Sequence, residues 1–287
     1  MSATLVLFAH VISCTAQLER RWRNGCKYIP TTVIHVALEL AAGKSGVFVD
    51  VGAYFGFEAA QALDAGRQTV SLECAVDPYI ELVGRKANGD CMRTPCCLLD
   101  DALRNGSAAV LLACASATTS LGTVHAGDDA SSLYSGNVPD TLRRRVLGPK
   151  TTSAVVVPLD ALLYETSRVA VLKIDAQGSE YPAMLGARRL LERDRPVVVY
   201  EWENSLPSNR MSAKPWHLLR ALGYNCTKDF SYDGEGAPGS YGADWLCLVR
   251  DGSPRQQALL DMLACTGACA KHYHKDRGRR ARRRSRM

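Results

Sequence analysis

Short apolar runs alternate along the chain with segments of helical spacing. Seven runs read as strands: GVFVDV (46–51), QTVSLE (68–73), AVLLACA (109–115), AVVVP (154–158), VAVLKID (169–175), PVVVYEWE (196–203) and ADWLCLV (243–249). Most are continuously apolar rather than alternating, the pattern of strands covered on both faces. Between them lie FEAAQALDA (57–65), which stops at Gly66, and EYPAMLGARRLLER (180–193). Residues 78–88 follow Asp77-Pro78, an N-cap and first-turn pair, and PWHLLRAL (215–222) closes at Gly223. Strand and helix in alternation predict an α/β fold, with a doubly wound, mostly parallel sheet of seven strands.

Two stretches break this rhythm. Residues 117–153 are rich in Gly, Ser, Thr and Asp, and SYDGEGAPGSYG (231–242) is a second irregular segment. Long excursions from a compact α/β core often serve as lids or substrate loops. The expected layout is an N-terminal helical segment (1–44), one main domain (45–250) with an insertion or lid at 117–153, a C-terminal helix (251–270) and a basic tail (271–287).

Charge sharpens this layout. The net charge is +6, but residues 271–287 alone hold nine Lys or Arg against one Asp. The tail therefore carries the basic character, and the rest of the chain is mildly acidic. A run so charged and so poor in apolar residues is expected to be disordered, as a solubilising end, a localisation signal or a tether to anionic surfaces. Nothing in the pattern fixes an oligomeric state.

The chain has 11 cysteines. Cys74, Cys114 and Cys247 sit inside or beside apolar runs, which suits buried free thiols in a reducing compartment. Cys265, Cys269, His272 and His274 match no standard zinc-finger spacing, so no metal is expected. LVLFAHVISCTA, near the N-terminus, is apolar and ends in small residues, as a signal peptide does. No Lys or Arg precedes it and His10 interrupts it, so a short buried helix in a cytoplasmic protein is preferred. Cleavage within residues 1–16 would instead mean the secretory pathway. No run reaches the ~20 apolar residues of a membrane span.

Candidate chemistry begins at VFVDVGAYFGFEAA (47–60), a strand that enters a helix through two glycines. Ligands of open α/β sheets sit at the carboxyl ends of the strands, where this turn lies. The spacing is Asp50-x-Gly52-x-x-x-Gly56, with Ala53 and Tyr54 in the turn, so neither the dinucleotide fingerprint nor a P-loop is present. Gly52 is expected to let the backbone approach a ligand closely. Its replacement by Val is expected to abolish ligand binding without unfolding the chain. Asp50 would repel pyrophosphate but suit a ligand carrying an amine and a sulfonium, as S-adenosylmethionine does. Glu73 closes the next strand, where an acidic residue can take both ribose hydroxyls. Asp77 competes for that role, but its place before Pro78 makes it the better helix cap.

Further blocks follow in order: PLDALL (158–163), LKIDAQGSE (172–180), MLGA (184–187) and RPVVVYEWE (195–203). With VDVGAYFG and SLEC, this ordered set resembles the FkbM-type S-adenosylmethionine-dependent methyltransferases over roughly residues 45 to 250. The family usually has Asn where Tyr54 stands and Pro where Cys74 stands. The resemblance implies a class I, Rossmann-like methyltransferase fold. It implies an enzyme that transfers methyl groups from S-adenosylmethionine to a hydroxyl of a sugar or small natural product. Asp50, Gly52, Ala53, Tyr54, Gly56, Glu73 and Asp175 are then the expected cofactor-binding residues.

A hydroxyl acceptor must lose its proton as it is methylated, and a carboxylate within reach can take it. Asp175, Glu201 and Glu203 end strands near the methyl, with Asp175 and Glu201 ranked first as catalytic. Other readings stay open. Asp175 would equally hold the amino-acid part of the cofactor, Lys173 shares its strand face and would pair with it, and Glu180 suits a first helical turn. His217 is expected to be packed on its helix, His125 is a weaker candidate base in a polar loop, and Ser131-Ser132-Leu133 is a candidate acceptor or cofactor contact. A nucleic-acid acceptor is disfavoured, because no [NDS]-P-P-[YFW] motif of base-amine methylation is present and the body is acidic. A catalytically silent binding protein of this fold is a further alternative.

Overall fold

The structure, a computed structural model, describes residues 32–83, 96–126, 131–132, 150–202, 215–228 and 243–261. Among these residues the sheet has ten strands: β1 Val47–Val51, β2 Thr69–Glu73, β3 Ala108–Ala115, β4 Ser120–Ala126, β5 Ser131–Ser132, β6 Lys150–Val157, β7 Val169–Ile174, β8 Val197–Trp202, β9 Asn225–Lys228 and β10 Ala243–Leu248. Their order is β5-β4-β6-β3-β2-β1-β7-β8-β10-β9. The pairs β6–β3, β3–β2, β2–β1, β1–β7 and β7–β8 are parallel, and β10 is antiparallel to both β8 and β9. The sheet is thus mixed, and wider than the expected seven strands.

The three unexpected strands have identifiable reasons. Two lie in the 117–153 excursion, where β4 runs antiparallel to β6 and β5 adds a two-residue edge. The described part of that excursion therefore widens the sheet; its remainder lies outside the described residues. Its strand signal is weak because one face is open: Leu121 and Val155 are opposed across the ladder and both exposed. The third, β9, is four residues long and polar (NCTK).

Helices cover both faces. On one side are α1 Thr32–Leu40, α2 Phe57–Asp64, α3 Val76–Val83 and α4 Cys96–Asn105. Val36, Ala37 and Ala62 pack there against Phe48, Val171 and Val199. On the other are α5 Leu159–Leu163, α6 Glu180–Leu185, α7 Arg188–Asp194 and α8 Pro215–Ala221. Met184, Leu190 and Leu219 pack there with Val49, Leu172 and Val198. Consecutive strand residues enter opposite clusters, which is the period-two alternation of a sheet buried on both sides.

The single expected helix 180–193 is two. Gly186 stands between them, and only glycine fits there, because a Cβ would lie 1.9 Å from the Ser116 carbonyl oxygen. Asp160 then opens α7 by accepting N–H bonds from Arg189 and Leu190, each 2.9 Å. Helix α3 begins at Val76, so Asp77 lies in its first turn rather than at its cap. Residues 254–261 are helical, within the 251–270 segment read as a C-terminal helix, whose remainder lies outside the described residues. Residues 1–16, the candidate zinc ligands and the basic tail lie outside the described residues. No described helix is long and apolar enough to cross a membrane.

The free-thiol expectation is corrected. Cys74 is bonded to Cys114, and Cys226 to Cys247. Strand register brings each pair together: Cys226 faces Cys247 directly across β9–β10, and Cys74 follows Glu73, which faces Leu112 on β3. An apolar setting hides a thiol and a disulfide equally well, so burial alone did not distinguish them.

Candidate active site

From β1 the chain moves outward to β2 and β3, then returns to β7 on the other side of β1. The carboxyl ends of β1 and β7 therefore form the topological switch point, the usual ligand crevice of an open α/β sheet. The turn after β1 and the loop after β7 meet there.

The turn is held by backbone bonds. Gly52 and Ala53 both donate N–H to the Leu72 carbonyl, at 2.9 and 3.1 Å, and Gly56 donates to Ala53 at 2.7 Å. Gly52, Tyr54 and Gly56 have left-handed φ of 72°, 47° and 75°, a region that favours glycine. The two glycines serve packing. A Cβ on Gly52 would meet the Asp175 carbonyl oxygen at 1.7 Å, and one on Gly56 would press on Leu82 and Leu99 at 2.9 and 3.0 Å. The space beside Gly52 is therefore filled by protein rather than left for a ligand. Ala53 is wholly buried.

Asp50 also differs from its expected role. It is fully buried and forms an ion pair with Lys173 at 3.1 Å. Lys173 Nζ also donates to the Gly52 carbonyl at 2.8 Å and lies 3.8 Å from Asp175. Burial alone would lower the Lys173 ammonium, but Asp50, then Asp175 and Glu58, more than offset it and hold it above its ordinary value. Burial, the largest cause, raises the Asp50 carboxyl above its ordinary value, against the pull of Lys173. Its contact with a lysine that stays protonated makes the pair ionic, and the pair locks β1 to β7 beneath the turn. Lys173 thus pairs with Asp50 more closely than with Asp175.

Glu73 is nearly buried and accepts from two backbone N–H groups, Tyr54 on Oε2 and Ala75 on Oε1, both at 2.7 Å. Burial raises its carboxyl, against the pull of these two bonds. The Tyr54 N–H is therefore committed to Glu73. Each Glu73 oxygen keeps a second lone pair, so acceptance from ribose hydroxyls remains compatible with this geometry.

Asp175 and Glu201 come together. Gln177 Nε2 donates to Asp175 Oδ1 at 2.8 Å and to Glu201 Oε2 at 3.0 Å. Burial, then the adjacent Asp175 charge and the hydrogen bond to it, push Glu201 up to about 10. That rise favours the protonated, proton-donating form of Glu201. The Asp175 side chain is 31% exposed and reaches the crevice. Asp244 faces Glu201 across β8–β10 and adds to the negative field.

Glu180 stands in the first turn of α6, as read, and is buried there. Its Oε1 accepts N–H bonds from Gly178 at 2.9 Å and Ala176 at 3.2 Å. Glu203, His125 and the Ser131–Ser132 side chains fall outside the described residues, although the His125 backbone pairs with Ser132 in the β4–β5 ladder. His217 is exposed beside Trp216 rather than packed. No cluster of three metal-ligating side chains occurs among the described residues. Sequence reasoning missed Gln177 and the partnership of Lys173 with Asp50. The Gln177-Gly178 dipeptide is a turn signal and a Lys inside an apolar strand demands a partner, but register decides which one.

The crevice therefore gathers Glu73, Asp175 and a protonated Glu201 around the turn, and its buried cation is already engaged. This donor set fits a ligand bearing positive charge and hydroxyls, and opposes a polyphosphate.

The methyltransferase FkbM domain matches residues 50–226, more than half of the chain. The chain belongs to this methyltransferase family. Among solved structures, it is similar to methyltransferase FkbM from Methylobacillus flagellatus, with 16% identity and a TM-score of 0.43 over 70% of this chain and 43% of that one. It thus spans less than half the length of that relative. It is also similar to the O-methyltransferase from Bacillus cereus in complex with SAH, with 13% identity and a TM-score of 0.37 over 85% and 90% of the two chains. A third is the ribosomal protein L11 methylase from Lactobacillus delbrueckii subsp. bulgaricus, with 11% identity and a TM-score of 0.33 over 76% and 77%. No curated protein matches the chain.

Proposed function

We propose that this methyltransferase uses S-adenosylmethionine to methylate a hydroxyl group of a sugar or small natural product. The observation that carries the reading is the joining of Asp175 and Glu201 through Gln177 Nε2 at the switch point, beside the turn that Glu73 holds. When bound, S-adenosylmethionine supplies a methyl group already activated on a sulfonium. Glu73 offers its remaining lone pairs to the ribose hydroxyls, and the negative mouth favours the positive charge. Asp175 takes the acceptor's hydroxyl proton, while Glu201 keeps its own proton and donates a hydrogen bond that holds Asp175 in place.

Residues 45–250 form the catalytic domain in this reading. The two disulfides favour work in an oxidising compartment over the cytoplasm. Calorimetric titration with S-adenosylmethionine and S-adenosylhomocysteine tests the proposal. The expected result is micromolar binding of both, lost in Glu73→Ala. A folded chain that binds neither would overturn it.

A further inference from the structure

Gln177 belongs to no part of the chemistry described so far, yet it is the residue that joins the two carboxyl groups. It stands in the loop between β7 and α6, at a left-handed φ of 46° that a residue with a side chain adopts at a cost. Glu180 holds that loop from below, through the N–H groups on either side of Gln177, at Ala176 and Gly178. The chain thus fixes the backbone of one glutamine in an uncommon conformation. The result is a carboxamide nitrogen that reaches Asp175 at 2.8 Å and Glu201 at 3.0 Å, on two different strands.

A carboxamide offers two N–H donors at a fixed angle, and a carboxyl oxygen is an acceptor whether or not its partner oxygen carries a proton. With two carboxyl oxygens as neighbours, the nitrogen end of Gln177 has to face them. We infer that Gln177 is a positioning residue: it clamps Asp175 and Glu201 into one proton-sharing pair and leaves the exposed side of Asp175 turned to the acceptor. The inference rests on the proposed role of Asp175 as the group that takes the acceptor's proton.

The charges around the pair are consistent with a need for such a clamp. Asp244 on β10, Asp50 on β1, Glu73 on β2 and Glu180 on α6 face it, and Lys173 on β7 lies 3.8 Å from Asp175. The negative field raises the cost of a second charge in the pair, and a neutral amide fixes its geometry without adding charge. A lysine in place of Gln177 would supply charge without fixed geometry; an amide supplies geometry without charge.

The test is a carbon-detected NMR titration of side-chain carboxyls in the full chain, with Glu201 assigned through Glu201→Gln. Gln177→Gly removes the amide and suits the left-handed backbone, so it keeps the fold. Gln177→Asn also tolerates that backbone, but its shorter side chain cannot span both carboxyls. In both variants the pair separates, and loss of the Asp175 charge and hydrogen bond outweighs loss of the amide donor, so the Glu201 midpoint falls toward the ordinary range. S-adenosylhomocysteine affinity stays within twofold of wild type. Methyl transfer loses at least tenfold in kcat with KM for S-adenosylmethionine unchanged. An unmoved Glu201 midpoint in a folded variant would overturn the clamp. A midpoint that falls in a chain that binds no S-adenosylhomocysteine, even as wild type, would leave the clamp standing and reject the methyl-transfer reading instead.

Discussion

The carbonyl oxygen of Asp175 occupies the place where a side chain on Gly52 would begin: a Cβ there lies 1.7 Å from it. The residue with the strongest motif signal is therefore a packing residue between two strand ends. Gly52 also sits at a φ of 72°.

Replacement of Gly52 by Val should consequently damage the fold as well as the site. The side chain has to displace the backbone that carries Asp175, and backbone strain adds to the overlap. Loss of at least about 3 kcal/mol is expected, a fall in Tm on the order of 10 °C. Chemical denaturation beside cofactor titration checks this. Unchanged stability with lost binding would return Gly52 to the role of ligand contact.

The acidity of Glu180 makes a pH prediction. Burial, the largest cause, pushes its carboxyl up from 4.5 to about 7, against the backbone N–H bonds it accepts. A folded-state value above the unfolded one means the native state holds the proton more tightly. Its contribution is thus complete below pH ~4.5 and is lost as pH rises through ~7. Urea denaturation from pH 5 to 8 should show wild-type stability falling by an amount on the order of 3 kcal/mol more than that of Glu180→Gln. The glutamine retains an acceptor oxygen for the Ala176 and Gly178 N–H groups and does not titrate. Parallel curves for the two proteins would rule out Glu180 as the source of the slope.

These residues mark what a sequence makes legible. Continuous apolar runs located the central strands, and Asp50, Glu73, Asp175 and Glu201 do converge where the strand ends predict. Partners were hidden, because pairing depends on register. Asp50 reads as a carboxylate aimed at a cation, and only the alignment of β1 on β7 reveals that the cation is Lys173. The same holds for cysteine. Cys226 and Cys247 lie in runs of different character, and their union requires β9 to lie antiparallel to β10. The outer strands were missed because a one-sided, polar edge leaves too little apolar pattern to detect.

The cysteine pairs predict a chemical inventory. Peptide mapping of the non-reduced, alkylated chain should recover Cys74–Cys114 and Cys226–Cys247 as linked fragments. Each closes a loop, with sequence separations of 40 and 21. In the chain-entropy account, loops of this size each contribute about 3–4 kcal/mol. Reduction should therefore lower the denaturation midpoint, and Cys226→Ser with Cys247→Ser should reproduce part of that loss. Recovery of all four cysteines as free thiols from chain made under oxidising conditions would count against both bonds.

The last expectation concerns the two acids, which should respond unequally to the same change. Glu201 already carries a proton, with burial and the neighbouring Asp175 holding it at about 10. Glu201→Gln exchanges one neutral donor for another, so turnover should change by only a fewfold. Asp175→Asn removes the group that receives the acceptor's proton, and general-base assistance is worth roughly 10²–10⁴-fold. Its turnover should fall by at least ~100-fold, with S-adenosylhomocysteine affinity close to wild type. Steady-state kinetics on both variants, beside calorimetry, separates the roles. Equal losses would mean that the two carboxyls act as an indivisible unit. A larger loss in Glu201→Gln would exchange their assignments, because Glu201 would then be the carboxylate that receives the acceptor's proton.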